Sequence, residues 1–210
     1  VLHEANINPS DIAGIGVDGQ SWSAIAVDKN GEVLCNNPIW MDTRSSQICE
    51  EIKTKMAEEE IFHVSGNLLQ PAYTLPKILW YKKNRPEIYR KTEKILQSNS
   101  FIVFRLTNQM TQDLSQGYGL QCFDIHKGTW NEPLCEKFGI NMNLLPSIVP
   151  CHQVVGYVTE TAAEQTGLQK GTAVVAGGLD AACGALGAGV IQAGQTQEQG
   201  GQAGGMSICM

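Results

Sequence analysis

A single carboxylate between an apolar run and a glycine-rich stretch is the feature of this sequence best placed to do chemistry. Residues 172–176, Thr-Ala-Val-Val-Ala, are β-branched or small and predict a strand buried on both faces. Gly177 and Gly178 then allow the backbone to approach another group closely, and Asp180 follows at the predicted start of a helix. Open α/β sheets place ligand-handling groups just beyond the carboxyl ends of strands. Asp180 is therefore a candidate site residue, and the alternative is that it only caps the helix.

Glycines crowd the same part of the chain. Ten of the 22 glycines fall at residue 177 or beyond, so the backbone in this stretch can approach a ligand closely. Exposed backbone amides of this kind favour phosphate groups. The end of the chain is therefore suited to approach a ligand that carries phosphate.

The run from residue 177 to 189, Gly-Gly-Leu-Asp-Ala-Ala-Cys-Gly-Ala-Leu-Gly-Ala-Gly, resembles a segment of the FGGY carbohydrate kinases. That segment reads Gly-Gly-x-Asp-x-x-x-Gly-x-x-Gly-x-Gly, and the likeness is greatest to the xylulose kinases of the family. The resemblance implies ATP-dependent phosphorylation of a sugar hydroxyl, with Asp180 as the general base. It also implies ATP and Mg²⁺ as cofactors.

The same resemblance implies that four residues face the phosphates of ATP, namely Gly178, Gly201, Gln202 and Ala203. Gly201 lies 21 residues after Asp180, the interval found in xylulose kinases. Gln202 and Ala203 stand where related kinases have Thr and Ser. The replacement keeps the backbone amides of the segment and loses two hydroxyl donors.

Residues 14–22, Gly-Ile-Gly-Val-Asp-Gly-Gln-Ser-Trp, resemble the Gly-Ile-Gly-x-x-Gly-Gln-Met-His stretch of xylulose kinases. The resemblance implies that Gln20, Ser21 and Trp22 bind the sugar. Ser21 and Trp22 replace Met and His, so the expected acceptor is a ketose such as xylulose, or a polyol. An indole face suits the carbon-bound hydrogens of a sugar, and the alternative for Trp22 is a place in the core.

Three further segments resemble the family. Residues 39–45, Ile-Trp-Met-Asp-Thr-Arg-Ser, match its Trp-x-Asp-x-Arg-Ser/Thr signature, which implies that Asp42 and Arg44 brace each other near the site. The alternative is an exposed ion pair worth roughly 0–1 kcal/mol. Residues 66–80 match Gly-Asn-x-x-x-x-x-x-Thr-x-x-Lys-Leu-x-Trp and lead into a helix. Residues 111–117, Thr-Gln-Asp-Leu-Ser-Gln-Gly, resemble Thr-Asp-x-Ser-x-Ala/Gly, which implies that Asp113 and Ser115 face the substrate, whereas the alternative is a helix-capping motif.

Composition narrows the classes of partner. A net charge of −6, with 42% hydrophobic and 17% charged residues, lacks the basic balance that nucleic acid or an anionic membrane requires. No apolar run approaches the roughly 20 residues of a membrane span, and no signal peptide is recognisable, so we expect a cytoplasmic protein. The seven cysteines contain no Cys-x-x-Cys pair, and the histidines lack ligand spacing. We therefore expect reduced thiols and no metal held by protein side chains alone.

The predicted elements define an α/β protein. Strands at 12–17, 22–28 and 33–35 predict an antiparallel meander, because an Asn-Gly turn joins the second to the third. Helices are predicted over 45–56, 87–91, 101–106, 131–139 and 159–166, and further strands over 94–97 and 154–158. The family resemblance implies a ribonuclease-H-like, actin-type ATPase fold, a mixed sheet with flanking helices, here incomplete. It further implies a sugar-binding domain over 1–180, without its N-terminal phosphate hairpin, and the start of a nucleotide-binding domain over 181–210.

Two other functions stay open at this point. A dinucleotide-binding oxidoreductase could use the glycines of 184–189 with Glu198, but these glycines lie inside a predicted helix in the order Gly-x-x-Gly-x-Gly. A non-catalytic, actin-like sugar-sensing module is favoured by the replacements at residues 202 and 203. The implied partners are a small-molecule sugar and ATP, and an exposed sheet edge leaves a homodimer open. We do not expect this length of chain alone to turn over ATP efficiently.

Overall fold

The structure, a computed structural model, describes residues 2–201 and 204–210, and for Tyr118 the backbone only. The helices are α1 (Ser46–Lys53), α2 (Glu58–Ser65), α3 (Thr74–Asn84), α4 (Pro86–Lys91), α5 (Ser98–Thr107), α6 (Leu114–Gly117), α7 (Glu132–Phe138), α8 (Glu160–Thr166) and α9 (Asp180–Gly187). The strands are β1 (Gly14–Ile15), β2 (Asp18–Gly19), β3 (Ile25–Val27), β4 (Lys94–Leu96), β5 (Thr111–Asp113), β6 (Phe123–Asp124), β7 (Thr129–Trp130), β8 (Ser147–Val149), β9 (Val154–Tyr157), β10 (Ala173–Val175), β11 (Gly178–Leu179), β12 (Thr196–Gly200) and β13 (Gly204–Ile208).

Parallel pairing between distant parts of the chain organises the site. β1 pairs parallel with β10, which pairs antiparallel with β9, and β2 pairs parallel with β11. Val174 in β10 is fully buried against Val103 and Leu106 of α5 and Val158. The β-branched run thus forms the buried strand that the sequence predicts, and it carries the chain directly into β11 and α9.

The predicted antiparallel meander is wrong. Residues 12–17 do not pair with 22–28, since β1 pairs with β10 while β3 pairs antiparallel with β4. The Asn-Gly turn does form, because Asp28 Oδ1 accepts from the amides of Asn30 and Glu32, and Gly31 adopts a φ of 80°. After the turn the chain forms only an isolated antiparallel β-bridge, between Val27 and Val33, in place of a full pair of strands. All three residues of β3 are buried, and the strand forms its backbone hydrogen bonds with β4 in the interior of the protein.

The largest apolar cluster lies between helices α1, α2, α3 and α7. Ile48, Ile61, Ile78 and Cys135 contribute one buried side chain each from these helices. Helix ends follow the sequence signals: Thr159 Oγ1 accepts from the amide of Ala162 at 3.2 Å at the start of α8. Among the described residues, no helix combines the length and apolar character needed to cross a membrane.

Candidate active site

The carboxyl ends of two neighbouring parallel strands open into a cleft. Leu179 of β11 lies opposite Gly19 of β2, so Gln20 and Asp180 leave the two strands side by side. The cleft has a volume of about 550 Å³, and its walls also include Trp40 and residues of the β12–β13 hairpin. The residues predicted from the sequence that the structure brings together here are Gln20, Ser21, Trp22, Asp180 and Gly201.

Asp180 is the only charged side chain among the described residues that line the cleft. It is exposed and is the first residue of α9, where the positive end of the helix dipole lies. Its Oδ1 accepts a hydrogen bond from the Ala181 amide at 2.7 Å. Leu179 takes the N-cap position, so Asp180 is not the N-cap that the capping alternative requires. The carboxylate is oriented by one backbone donor and is accessible to a hydroxyl group in the cleft.

Asp113 lies behind this cleft and not on its wall. It is 1% exposed and its carboxylate accepts hydrogen bonds from five groups within the protein. These donors are Asn99 Nδ2 at 2.8 Å, Gln112 Nε2 at 3.0 Å, Ser115 Oγ at 2.5 Å, the Gln116 amide at 3.0 Å and Cys151 Sγ at 3.9 Å. A sugar hydroxyl could reach the carboxylate only by displacing this shell. The structure therefore places Asp113 apart from the expected sugar contact, and its bond to Gln116 is of the capping type.

Ser115 connects the buried carboxylate to the strand that carries the candidate base. Its Oγ donates to Asp113 and accepts from the backbone amide of Leu179 at 2.8 Å. Leu179 is the residue immediately before Asp180. Ser115, like Asp113, is absent from the described lining of the cleft. The two residues expected to bind substrate form instead a hydrogen-bonded chain that ends next to Asp180.

Trp22 forms one wall of the cleft in an uncommon backbone conformation. Its φ is 61°, which is rare for a residue with a large side chain. The indole packs edge-to-face on Tyr73, with ring centroids 4.7 Å apart. A Cβ atom on Gly119 would lie 1.6 Å from the indole Nε1, so this position must be glycine for the ring to occupy its place. The sequence did not identify Gly119, whose requirement arises from a tertiary contact.

A turn beside the cleft carries Trp40, Asp42 and Arg44. The guanidinium of Arg44 binds both carboxylate oxygens of Asp42 through Nε, at 2.9 and 2.8 Å. These hydrogen bonds lower the pKa of Asp42. The guanidinium also lies 4.9 Å from the ring centroid of Trp80. Asp42 and Arg44 thus brace each other across the turn, as expected, and the wall residue Trp40 was missed although it belongs to the same motif.

The glycines predicted to face phosphate divide between two places. Gly201 lines the cleft with Gly204 and Gly205, and Cβ atoms at the latter two would meet nothing within 4 Å. Gly178 instead lines a neighbouring cavity of about 420 Å³. A Cβ there would lie 2.9 Å from Cys183 Sγ, so the small residue at 178 leaves room for the Cys183 side chain. The predictions for Gln202 and Ala203 fall outside the described residues.

Gln199 holds the β12–β13 hairpin against α9. Gln199 Nε2 donates to the carbonyl of Ala181 at 3.2 Å. A Cβ on Gly184 would lie 2.6 Å from the same nitrogen, so the small residue lets the hairpin approach the helix. Gly184 and Gly187 therefore lie inside α9, as predicted, and not in the strand-to-helix turn that a dinucleotide-binding motif needs.

Comparisons with known proteins agree on one family. The model of the N-terminal domain of the FGGY family of carbohydrate kinases matches residues 1–187. The chain is 33% identical over 192 residues to a xylulose kinase of Bacillus subtilis, covering 91% of this chain and 38% of that protein. It is 32% identical over 205 residues to an autoinducer-2 kinase of Klebsiella pneumoniae, covering 95% and 38%. A crystal structure of a xylulose kinase from Rhodospirillum rubrum superposes with a TM-score of 0.88 at 26% identity, covering 92% and 40%.

Proposed function

Because this chain belongs to the FGGY family of carbohydrate kinases, we propose that it supplies the acceptor cleft of an enzyme that transfers a phosphoryl group from ATP to a hydroxyl of a neutral sugar or polyol. The expected actin-type ATPase fold is that of the sugar kinases it superposes on. The observation that carries the proposal is the position of Asp180, an exposed carboxylate in a cleft with two indole walls. Asp180 acts as the general base that takes the proton of the attacking hydroxyl.

The chemistry of the cleft favours an uncharged acceptor. Among the described lining residues there is no lysine or arginine, and the carboxylate of Asp180 would repel an anion. Trp22 and Trp40 offer flat apolar faces for carbon-bound hydrogens, while Gln20 and Ser21 can bond hydroxyl groups. These features support a ketose such as xylulose, or a polyol, in preference to a sugar acid or sugar phosphate.

Asp113 and Ser115 support the base from behind. Ser115 joins the buried carboxylate to the Leu179 amide, so it fixes the backbone one residue before Asp180. A general base must be held at a defined distance from the proton it abstracts. We assign Asp113 and Ser115 as positioning residues in place of the sugar contact expected from the sequence.

The glycines of the hairpin fit the phosphates of ATP. Gly201, Gly204 and Gly205 line the cleft without side chains, which leaves their backbone accessible to an anionic group. No cluster of three or more His, Cys, Asp or Glu side chains within 2–201 and 204–210 could hold a metal ion. Mg²⁺ keeps several waters and commonly binds through substrate phosphates, so the metal would enter with ATP and leave the Asp180 carboxylate free for the proton. When bound, ATP would supply the phosphoryl group, and its Mg²⁺ would neutralise the negative charge on the phosphate oxygens.

The domain assignment remains part of the proposal. Residues 1–180 form the sugar-binding part, and residues 181–210 begin the nucleotide-binding part. The chain spans well under two thirds of the curated relatives. Kinetic tests therefore use the full-length protein, meaning this chain completed to the length of those relatives.

The test of the proposed function is Asp180→Asn in the full-length protein. We expect turnover to fall by roughly 10²–10⁴, the usual contribution of a general base, with acceptor binding within a few-fold of the wild type. Asp18→Asn is the matched control, because Asp18 is an exposed carboxylate on the adjacent strand that lines the neighbouring cavity. Unchanged turnover in Asp180→Asn contradicts the assignment, as does an equal loss in the control.

A further inference from the structure

Three buried side chains on one face of α3 bind consecutive carbonyl groups of the segment that leads into β3. Thr74, Lys77 and Tyr81 are spaced three and four residues apart and so share a helix face. Their donor atoms lie 2.7 to 3.2 Å from the carbonyl oxygens of residues 22–24. The helix therefore fixes the course of this segment residue by residue.

Lys77 is the member of this set that reaches beyond the segment. It is fully buried, and its ammonium group donates to the carbonyl oxygens of Trp22 at 2.7 Å and Ile39 at 2.8 Å. The third acceptor is the carbonyl of Ala72. An ammonium group has three hydrogens, so each of them has a backbone acceptor. A lysine in such a place is uncommon and is retained only when its hydrogen bonds are satisfied.

Two of these carbonyl groups belong to the walls of the acceptor cleft. Trp22 itself lines the cleft, and its φ of 61° is a conformation that persists only when the surroundings hold it. Ile39 immediately precedes Trp40, the second indole wall. One buried ammonium group thus joins the backbones of both walls, although the two are separated along the chain.

We infer that Lys77 is a positioning residue that holds the two indole walls at the separation the acceptor requires, and so determines how tightly and how selectively the acceptor binds. The inference deepens the proposed function and rests on it for the identity of the ligand. The role of Lys77 concerns binding and not proton transfer, because the ammonium group is buried beneath the walls and is not among the described lining residues.

The test is Lys77→Met in the full-length protein, with the KM of the acceptor, the KM of ATP and kcat measured separately. We expect the acceptor KM to rise by about tenfold or more while kcat and the KM of ATP change by less than about threefold. Lys83→Met is the matched control, since Lys83 lies on the same helix but is exposed and pairs with Glu51. A folded Lys77→Met variant whose acceptor KM stays within about twofold of the wild type overturns the inference.

The pH profile gives a readout that a purely structural role would not change. Burial lowers the pKa of Lys77 to about 8, while the neighbouring charges of Asp42 and Arg44 act in opposite directions. Above that pH the neutral amine has two hydrogens for three carbonyl groups. We expect the acceptor KM of the wild type to rise as the pH passes 8 and that of Lys77→Met to lack this rise. A rise of equal size in both proteins contradicts the inference.

A second variant and a spectroscopic measurement cover the remaining outcomes. If Lys77→Met does not fold, Lys77→Gln keeps a polar donor but can serve at most two of the three carbonyl groups, and an unchanged acceptor KM in that variant overturns the inference. The near-UV circular dichroism of the Trp22–Tyr73 ring pair, identified by subtraction of Trp22→Phe, reports the wall directly. We expect Lys77→Met to lose this band and Lys83→Met to keep it. The circular dichroism measurement needs no substrate, so it tests the position of the wall even if no neutral sugar is phosphorylated. Failure of the proposed function is therefore distinguishable from failure of the inference.

Discussion

Asp113 and Asp180 are the same amino acid in opposite surroundings, and the surroundings determine what each can do. Asp113 is buried and its carboxylate accepts five hydrogen bonds, so its lone pairs are committed to the protein. Asp180 is exposed and accepts one backbone bond in the cleft. Only the second carboxylate can take a proton from a ligand without breaking existing contacts. Sequence motifs place an aspartate at both positions but do not distinguish a shielded carboxylate from an accessible one.

The chain from Asp113 through Ser115 to Leu179 is testable by removing one oxygen atom. In the full-length protein, Ser115→Ala leaves the Leu179 amide without its acceptor and Asp113 without one donor. We expect kcat to fall by roughly 3–30-fold with the acceptor KM nearly unchanged, because misplacement of Asp180 affects proton transfer more than binding. The free energy of unfolding should fall by about 1–3 kcal/mol, the cost of an unsatisfied buried group.

Two comparisons separate positioning from general support of the fold. Ser115→Thr retains the hydroxyl and should restore most of kcat. Thr54→Val removes an exposed hydroxyl that donates to the carbonyl of Glu51 at 2.8 Å, outside this network, and should leave kcat unchanged. A Ser115→Ala variant that loses stability but keeps kcat would show that the chain supports the fold alone.

Among the structural elements, those with local signals were predicted and those with distant partners were not. The helix at 159–166 was predicted with its Thr159 cap, and the structure has Glu160–Thr166 with that cap. The strand that pairs with residues 12–17 was not predicted, because Gly14 lies opposite Ala173, which is near the other end of the chain. Local alternation of apolar residues indicates a strand but contains no information about which strand lies beside it.

The same limit explains which site residues were missed. Trp22 and Asp180 were predicted from the family resemblance, whereas the roles of Trp40, Lys77 and Gly119 depend on contacts made only in the folded protein. Lys77 did leave a signal, since it is a single charged residue on a helix face with buried apolar neighbours. A satisfied buried lysine is predictable as a hydrogen-bond donor, but its acceptors are not.

Gly119, in the 3-10 helix formed by residues 118–120, is expected to tolerate no side chain against the Trp22 wall. Gly119→Ala would place a Cβ 1.6 Å from the indole Nε1, and a ring held against Tyr73 cannot move aside without leaving the wall. We expect the free energy of unfolding to fall by about 1–3 kcal/mol, the usual cost of overpacking. The acceptor affinity, measured by quenching of tryptophan fluorescence, should fall by about tenfold, because the displaced indole no longer offers its apolar face to the acceptor. Gly187→Ala is the control, because a Cβ there meets nothing within 4 Å. Equal affinities in the two variants would contradict the placement of the indole.

Over the whole molecule, burial is concentrated away from the β12–β13 hairpin. The strands β3 and β4 contribute Val27 and Leu96, both fully buried. The hairpin exposes most of its side chains, including Met206 at 78% and Ile208 at 59%. The composition of this stretch predicts that it cannot bury enough surface to offset backbone ordering at roughly 1–2 kcal/mol per residue. The regular antiparallel pairing of β12 with β13 could not be predicted from the sequence, because the many glycines and glutamines give no apolar alternation that would indicate strands.

This distribution predicts a wide range of local opening free energies within one chain. By hydrogen exchange of the 210-residue chain, we expect the amides of β12 and β13 to exchange at least about 100-fold faster than those of β3 and β4, because a two-stranded hairpin with few buried side chains opens without disturbing the core. The β6–β7 hairpin is the matched control. It is also two-stranded, but Phe123 is buried and packs edge-to-face on Trp130 with ring centroids 6.3 Å apart. It should therefore exchange as slowly as the core. Equal protection of the two hairpins in a monomeric sample would show that β12 and β13 are held as firmly as the interior, which the exposure of their side chains does not predict.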